Sequence, residues 1–256
     1  MRTLWLFAGL VLPAIVGLTP AWAQYRTLPT TPAMTSDDMA MSGTGYVSLT
    51  RVPLRLNGFN ADLASHDYTT FDDRPVAVGG GFNFTVQHLL LGVEGNWQLP
   101  RHGTAQVNGQ SLHTSFSGAY GFGNIGAVLT QCNTCKIYPF VGVGAGALQL
   151  TTRQSAGGSF DDVLGTPLQA SHLSRTMLLT QAGLGVDFML PAIFTPSGDA
   201  AGIVVGVRAG YIYTPEPLTR RWRLDGSNLT GGPDPTFDGP YVQVTFGGGW
   251  SHVPVQ

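Results

Sequence analysis

The chain has 256 residues, only 11% of them charged, with 35 glycines and a formal net charge of −2. A soluble globular domain carries about 25% charged residues and about 7% glycine. The 43% apolar content excludes intrinsic disorder, the single lysine (Lys136) and two glutamates (Glu94, Glu216) argue against a helical bundle, and the charge balance offers no general attraction to nucleic acid.

Residues 1–23 read as a secretory signal peptide. Arg2 supplies the positive start, Leu4 to Val16 the apolar stretch, and Ala21-Trp22-Ala23 a small-x-small cleavage site, so the mature chain is expected to begin at Gln24. Residues 24–43 carry Pro29, Pro32, Asp37 and Asp38 without a clear period and are predicted to be a flexible linker. No later stretch offers about 18 uninterrupted apolar residues, so no transmembrane helix is predicted.

Eight long Gly- and aromatic-rich runs follow, over 44–56, 75–85, 88–99, 112–130, 137–152, 174–190, 201–214 and 240–250. Each meets the ~9–11 residues that a tilted strand needs to cross a bilayer. Alternation is clearest in three runs. Leu89, Leu91, Val93, Trp97 and Leu99 oppose Gly92, Glu94, Asn96 and Gln98; Ile203, Val205, Val207, Ala209, Tyr211 and Tyr213 oppose Gly206, Arg208 and Gly210; Val242, Val244, Phe246 and Trp250 oppose Gln243 and Thr245. A period of two with one apolar face is the signature of a strand between two media. Pro53 and Gly123 are expected to mark bulges. The connections alternate long and short, with 57–74, 100–111, 153–173 and 215–239 long and polar. That rhythm predicts an all-β, eight-stranded antiparallel up-and-down transmembrane β-barrel over 44–250, with 251–256 as a C-terminal tail. Tyr46, Trp97, Tyr138, Tyr211, Tyr213, Tyr241 and Trp250 are expected to form its interfacial girdles.

With its signal peptide, its strand count and Gly-alternating segments such as Ile137-Tyr138-Pro139-Phe140-Val141-Gly142-Val143-Gly144-Ala145-Gly146, the sequence resembles the small outer-membrane β-barrel proteins. That group includes the OmpA transmembrane domain and the opacity-type surface proteins. The resemblance covers residues 44–250 and is one of pattern. It implies location in the outer membrane, contact with outer-membrane lipid and lipopolysaccharide, insertion by the outer-membrane assembly machinery, and a monomer. Such barrels usually end in an aromatic residue that the assembly machinery reads. Here either Phe246 or Trp250 serves as that residue, or the tail is an extension.

Several constellations bear on chemistry. Glu94 and Arg208 fall mid-strand on inward faces, and Arg51 and Asp187 are candidates to join them in a lumen charge network. An eight-stranded bore is normally filled by its own side chains, so the network is expected to plug it, with a narrow gated channel as the alternative. Cys132 and Cys135 are expected to form a local disulfide in an oxidising compartment. Arg220, Arg221, Trp222 and Arg223, in the longest predicted external loop, are candidates to contact a surface polyanion. Gly121-Phe122-Gly123-Asn124-Ile125-Gly126 satisfies a nucleotide fingerprint literally but lacks the following helix. His113-Thr114-Ser115 is similar to the short His-x-Ser segment of a lipid A deacylase, but no carboxylate stands out as the orienting third group. The simpler expectation for this pair is two polar side chains facing the lumen. No catalytic residue, metal or cofactor is assigned. The expected function is that of an integral barrel with a structural or surface-interaction role. A lipid A hydrolase and a soluble ligand-carrying barrel, with apolar faces turned inward, are the further alternatives.

Overall fold

A strand whose side chains alternate apolar and polar makes a sheet with two different faces, and closing that sheet on itself leaves no unpaired edge. The computed structural model describes residues 40–107, 110–131, 134–154, 170–194, 199–215, 222–224, 227–229 and 232–252; the predicted signal peptide and most of the predicted linker lie outside them. Eight long strands carry the fold: β1 (Met41–Arg51), β2 (Val76–Val86), β3 (Leu89–Val107), β4 (Gln110–Ala127), β5 (Cys135–Gln154), β6 (Ala170–Phe194), β7 (Asp199–Tyr213) and β8 (Gly239–His252). Each pairs antiparallel with its neighbour in sequence, and β8 pairs back onto β1 from Met41↔His252 to Arg51↔Val242. The result is a closed up-and-down barrel. Following the register once around from Met41 returns to Arg51, a stagger of ten residues. In a barrel of eight strands such a stagger goes with a strand tilt of about 40° and a bore that side chains alone can fill.

The outward face is apolar. Leu89, Leu91, Val93, Trp97 and Leu99 on β3, Val141 and Val143 on β5, and Val242, Val244 and Phe246 on β8 are all exposed. Thr44, Ser48, Asn83, Asn96, Asn124, Gln243 and Thr245 point into the bore and are buried. From Leu89 to Leu99 the belt covers about 33 Å of strand, or ~25 Å along the barrel axis at this tilt, which is the height of a transmembrane barrel's apolar band. A soluble ligand-carrying barrel would invert this pattern, so that alternative does not hold. The barrel spans a bilayer, because its sheet satisfies the backbone internally and its apolar side faces out. Among the described residues no helix is long and apolar enough to cross a membrane, and the crossing is made by strands.

Boundaries differ from expectation for identifiable reasons. β1 begins at Met41, so the last residues of the predicted linker are strand, and it ends at Arg51, ahead of Pro53, which has no N–H to continue the ladder. Gly123 stays in register with Val93 and Val143, so it marks no bulge. The register shifts occur between Gln98 and Arg101 and between Pro191 and Ile193, each beside or at a proline (Pro100, Pro191) that cannot donate to its neighbour. β3–β6 continue outward beyond the other strands, so parts of the predicted 100–111 and 153–173 loops are a tall wall of paired strand.

The segment after β1, within the predicted 57–74 loop, holds a helix, α1 (Asn57–Ser65). Nine residues are too few to hold a helix alone in water. This one is held by Phe59 and Leu63, one turn apart, which are buried against the inner face of the tall wall.

Candidate functional site

The bore holds a charged network at mid-height. Arg208 on β7 is 2% exposed, and its Nη1 lies 3.4 Å from Glu94 Oε2 on β3. The same Nη1 donates to the Tyr46 hydroxyl at 2.6 Å, and Nε donates to the Tyr138 hydroxyl at 3.0 Å. Tyr138 donates in turn to Asp187 Oδ1 at 3.1 Å. Glu94 also accepts from Gln181 Nε2 at 2.6 Å, Asn124 Nδ2 at 3.2 Å and Gln243 Nε2 at 3.3 Å. The guanidinium stacks over the Tyr46 ring, 4.5 Å from its centroid. Lys136 lies in register with Asp187 across β5–β6 and donates to Thr85 Oγ1 at 3.3 Å. Two cations and two anions therefore share this part of the bore, and all eight strands supply a member.

Glycines make room for the two tyrosines. A Cβ on Gly81 would stand against the Tyr46 hydroxyl, and one on Gly185 would collide with the Tyr138 ring. Glu94, Arg208 and Asp187 are brought together. Arg51 is not: it is exposed on the outer face, because Ser48 and Thr50 take the inward positions of β1 and the period of two sends the next residue out. Tyr46, Tyr138 and Tyr241 are buried in the bore and so leave the predicted girdle, whereas Trp97, Tyr211, Tyr213 and Trp250 face outward. The same parity rule, applied to Tyr46 alongside Thr44 and Ser48, or to Tyr138 alongside Lys136, is the signal that would have placed them inside.

An apolar cap packs at the outer end. Val52, Leu54, Leu56, Phe59, Leu63 and Phe71 from the first outer segment pack with Phe116, Leu148, Leu150, Leu179, Ile212 and Phe237. Phe116 is in ring contact with Phe59 (5.4 Å) and Phe71 (5.3 Å). Asn60 clips the segment shut: its Nδ2 donates to Phe71 O at 2.7 Å and its Oδ1 accepts from Phe71 N at 3.0 Å. Trp222 was expected at the surface, yet it is buried, stacks on Phe59 at 5.9 Å and donates from Nε1 to Pro233 O at 2.8 Å. An indole beside an apolar helix face gains more by burial than by exposure. Arg175 reaches from β6 to Asp234 and tethers the last outer segment. At the rim, the Arg74 backbone N–H donates to Asp72 at 3.1 Å and, with Arg101 nearby, holds that carboxyl below its usual range.

Arg220, Arg221 and Cys132 lie outside the described residues. Cys135 is half-buried at the start of β5, and Arg223 is exposed and in register with Ser174 on β6. His113 faces outward and is exposed, and Ser115 shares that outer face; neither points into the lumen. Their cross-strand neighbours are Thr104, Arg153, His102 and Thr151, with no carboxylate among them. Among the described residues no group of three or more His, Cys, Asp or Glu is placed to hold a metal ion.

No family model matches the chain, and no curated protein matches it. Solved structures do. The attachment invasion locus protein Ail of Yersinia pestis, in complex with the heparin analogue sucrose octasulfate, is 13% identical, with a TM-score of 0.37 over 84% of this chain and 99% of its own. The outer membrane protease OmpT of Escherichia coli is 12% identical, with a TM-score of 0.33 over 89% of this chain and 99% of its own. The outer membrane protein OprG of Pseudomonas aeruginosa is 14% identical, with a TM-score of 0.33 over 84% of this chain and 96% of its own.

Proposed function

We propose that the chain is an integral outer-membrane barrel with a closed bore, serving a structural or surface-interaction role through its outer segments. The observation that carries this is the mid-bore network, in which side chains from seven strands meet around Glu94 and Arg208. Buried charges held by this many partners, with an apolar cluster at a second level above them, support a closed bore. No catalytic residue is assigned. Outer-membrane lipid and lipopolysaccharide are the expected surroundings.

The test is conductance across a planar bilayer. The wild-type protein is expected to be silent, and Glu94→Gln is expected to remain silent because the cap is untouched. Steady ohmic current through wild type would overturn the closed bore in favour of a channel. Insertion is checked independently by electrophoresis in SDS, where unboiled and boiled protein from the membrane fraction should migrate differently. Val93, 54% exposed at the middle of the belt, supplies a further check. Val93→Arg is expected to cost about 2–4 kcal/mol in unfolding titrations from vesicles, the penalty for a cation at the bilayer midplane; a cost near zero would place that face in water.

A further inference from the structure

Above the belt, the outer face of β3–β6 changes chemistry. The shift at Pro100 resets β3 so that His102 and Thr104 turn outward. The register then aligns His102, Ser115, Thr151 and His172 as one row across four strands, and places His113 beside Arg153 in the next row out. Partners across a ladder lie about 4.5–5.5 Å apart at Cα, so these side chains share one surface. His102, His113, Arg153 and His172 are exposed, and Thr151 Oγ1 lies 3.2 Å from His172 Nδ1. Among the described residues of β3–β6, no Asp or Glu faces outward: Glu94 and Asp187 point into the bore. The acidic side chains of the outer end, such as Asp72 and Asp234, stand on the cap segments instead.

Height selects the partner. The belt ends at Leu99, Ala119, Ala147 and Leu178 on these four strands. Three to six residues further along, at about 40° of tilt, corresponds to ~8–15 Å beyond the hydrocarbon edge, the layer where headgroups lie. We propose that this face binds the phosphate groups of a phosphorylated outer-leaflet lipid headgroup. The Arg153 guanidinium offers a planar fork of donors to phosphate oxygens. Each imidazole presents an N–H donor in either protonation state, and the hydroxyls of Ser115 and Thr151 add neutral donors. A rigid sheet holds the set at fixed spacing, and among the described residues no carboxylate shares this face with the Arg153 charge. The inference rests on the bilayer-spanning reading, because the belt sets the height of the patch.

The full chain, refolded in zwitterionic micelles, is titrated with bisphosphorylated lipid A and with the same lipid dephosphorylated, and bound lipid is read by native mass spectrometry. Wild type should prefer the phosphorylated lipid by at least about tenfold, the scale of one or two charge-assisted hydrogen bonds. Arg153→Gln should remove part of that preference, and the combined His113→Ala, Arg153→Gln and His172→Ala variant all of it. Each variant is first shown to shift in mobility on boiling, so a lost preference is not lost folding. An undiminished preference in both variants overturns the site. So does displacement of the lipid by millimolar inorganic phosphate with equal affinity for the two lipids, which would make the patch a reader of free anions. A wild-type protein that shows no mobility shift fails earlier and differently, by overturning the bilayer-spanning reading itself.

Discussion

Arg208→Met should destabilise the barrel by about 3–5 kcal/mol, the largest effect expected of any single substitution in the bore. The substitution keeps an unbranched apolar stem and removes the guanidinium, with its charge and its donors to Tyr46 and Tyr138. Glu94 would then stay buried, its oxygens still accepting from Gln181, Asn124 and Gln243 but with no guanidinium beside them. Desolvation of an unpaired carboxylate is the dominant cost, and it exceeds the loss of any single hydrogen bond. The double variant Glu94→Gln with Arg208→Met should recover most of the loss, since a buried ion pair replaced as a pair is often close to neutral. Urea titrations of the four proteins in vesicles close the thermodynamic cycle. A cost below about 1 kcal/mol for Arg208→Met alone would mean that water reaches the pair and that the bore is hydrated at this level.

Phe116→Ala should release the cap without unfolding the barrel. Phe116 is fully buried and is in ring contact with both Phe59 and Phe71, which anchor opposite ends of the first outer segment. Truncating a buried Phe costs about 3–5 kcal/mol. Spread over a segment held mainly by these contacts and by the Asn60 clip, that loss should raise its open population by at least a hundredfold. Limited proteolysis from outside intact vesicles reads this directly, as cleavage within residues 57–75, while the electrophoretic mobility of the unboiled protein stays that of the folded barrel. Cleavage at the wild-type rate would show that the cap is held elsewhere, with Trp222 and its bond to Pro233 the first place to look.

How much of this was legible beforehand can be judged from particular residues. Leu91 against Gly92, Val207 against Arg208 and Val244 against Gln243 announce strands between two media, because a period of two is a local property and needs no partner to be seen. The same rule, counted out from Ser48 and Thr50, sends Arg51 outward. Tyr46, Tyr138 and Tyr241 read as girdle residues for another reason. A Tyr suits the membrane interface and a polar bore equally well, and only its parity, together with the gap that Gly81 or Gly185 leaves opposite, separates the two.

The apolar cap was not legible at all. Leu56-Asn57-Gly58-Phe59 reads as a turn, and a nine-residue helix there exists only because the tall wall presents Phe116 and Leu150 to it. Trp222 likewise looks like surface until Phe59 arrives beside it from a segment more than 160 positions away. Local alternation was sufficient to write eight strands, their order and the face that meets lipid. Closure of the sheet, with its stagger of ten residues, was needed to decide which charges meet across the bore, which outer segment packs onto the inner wall, and which imidazoles line up on the outer wall. Those are contacts between strands far apart in the chain, and their energies depend on burial that no single segment possesses before the barrel exists.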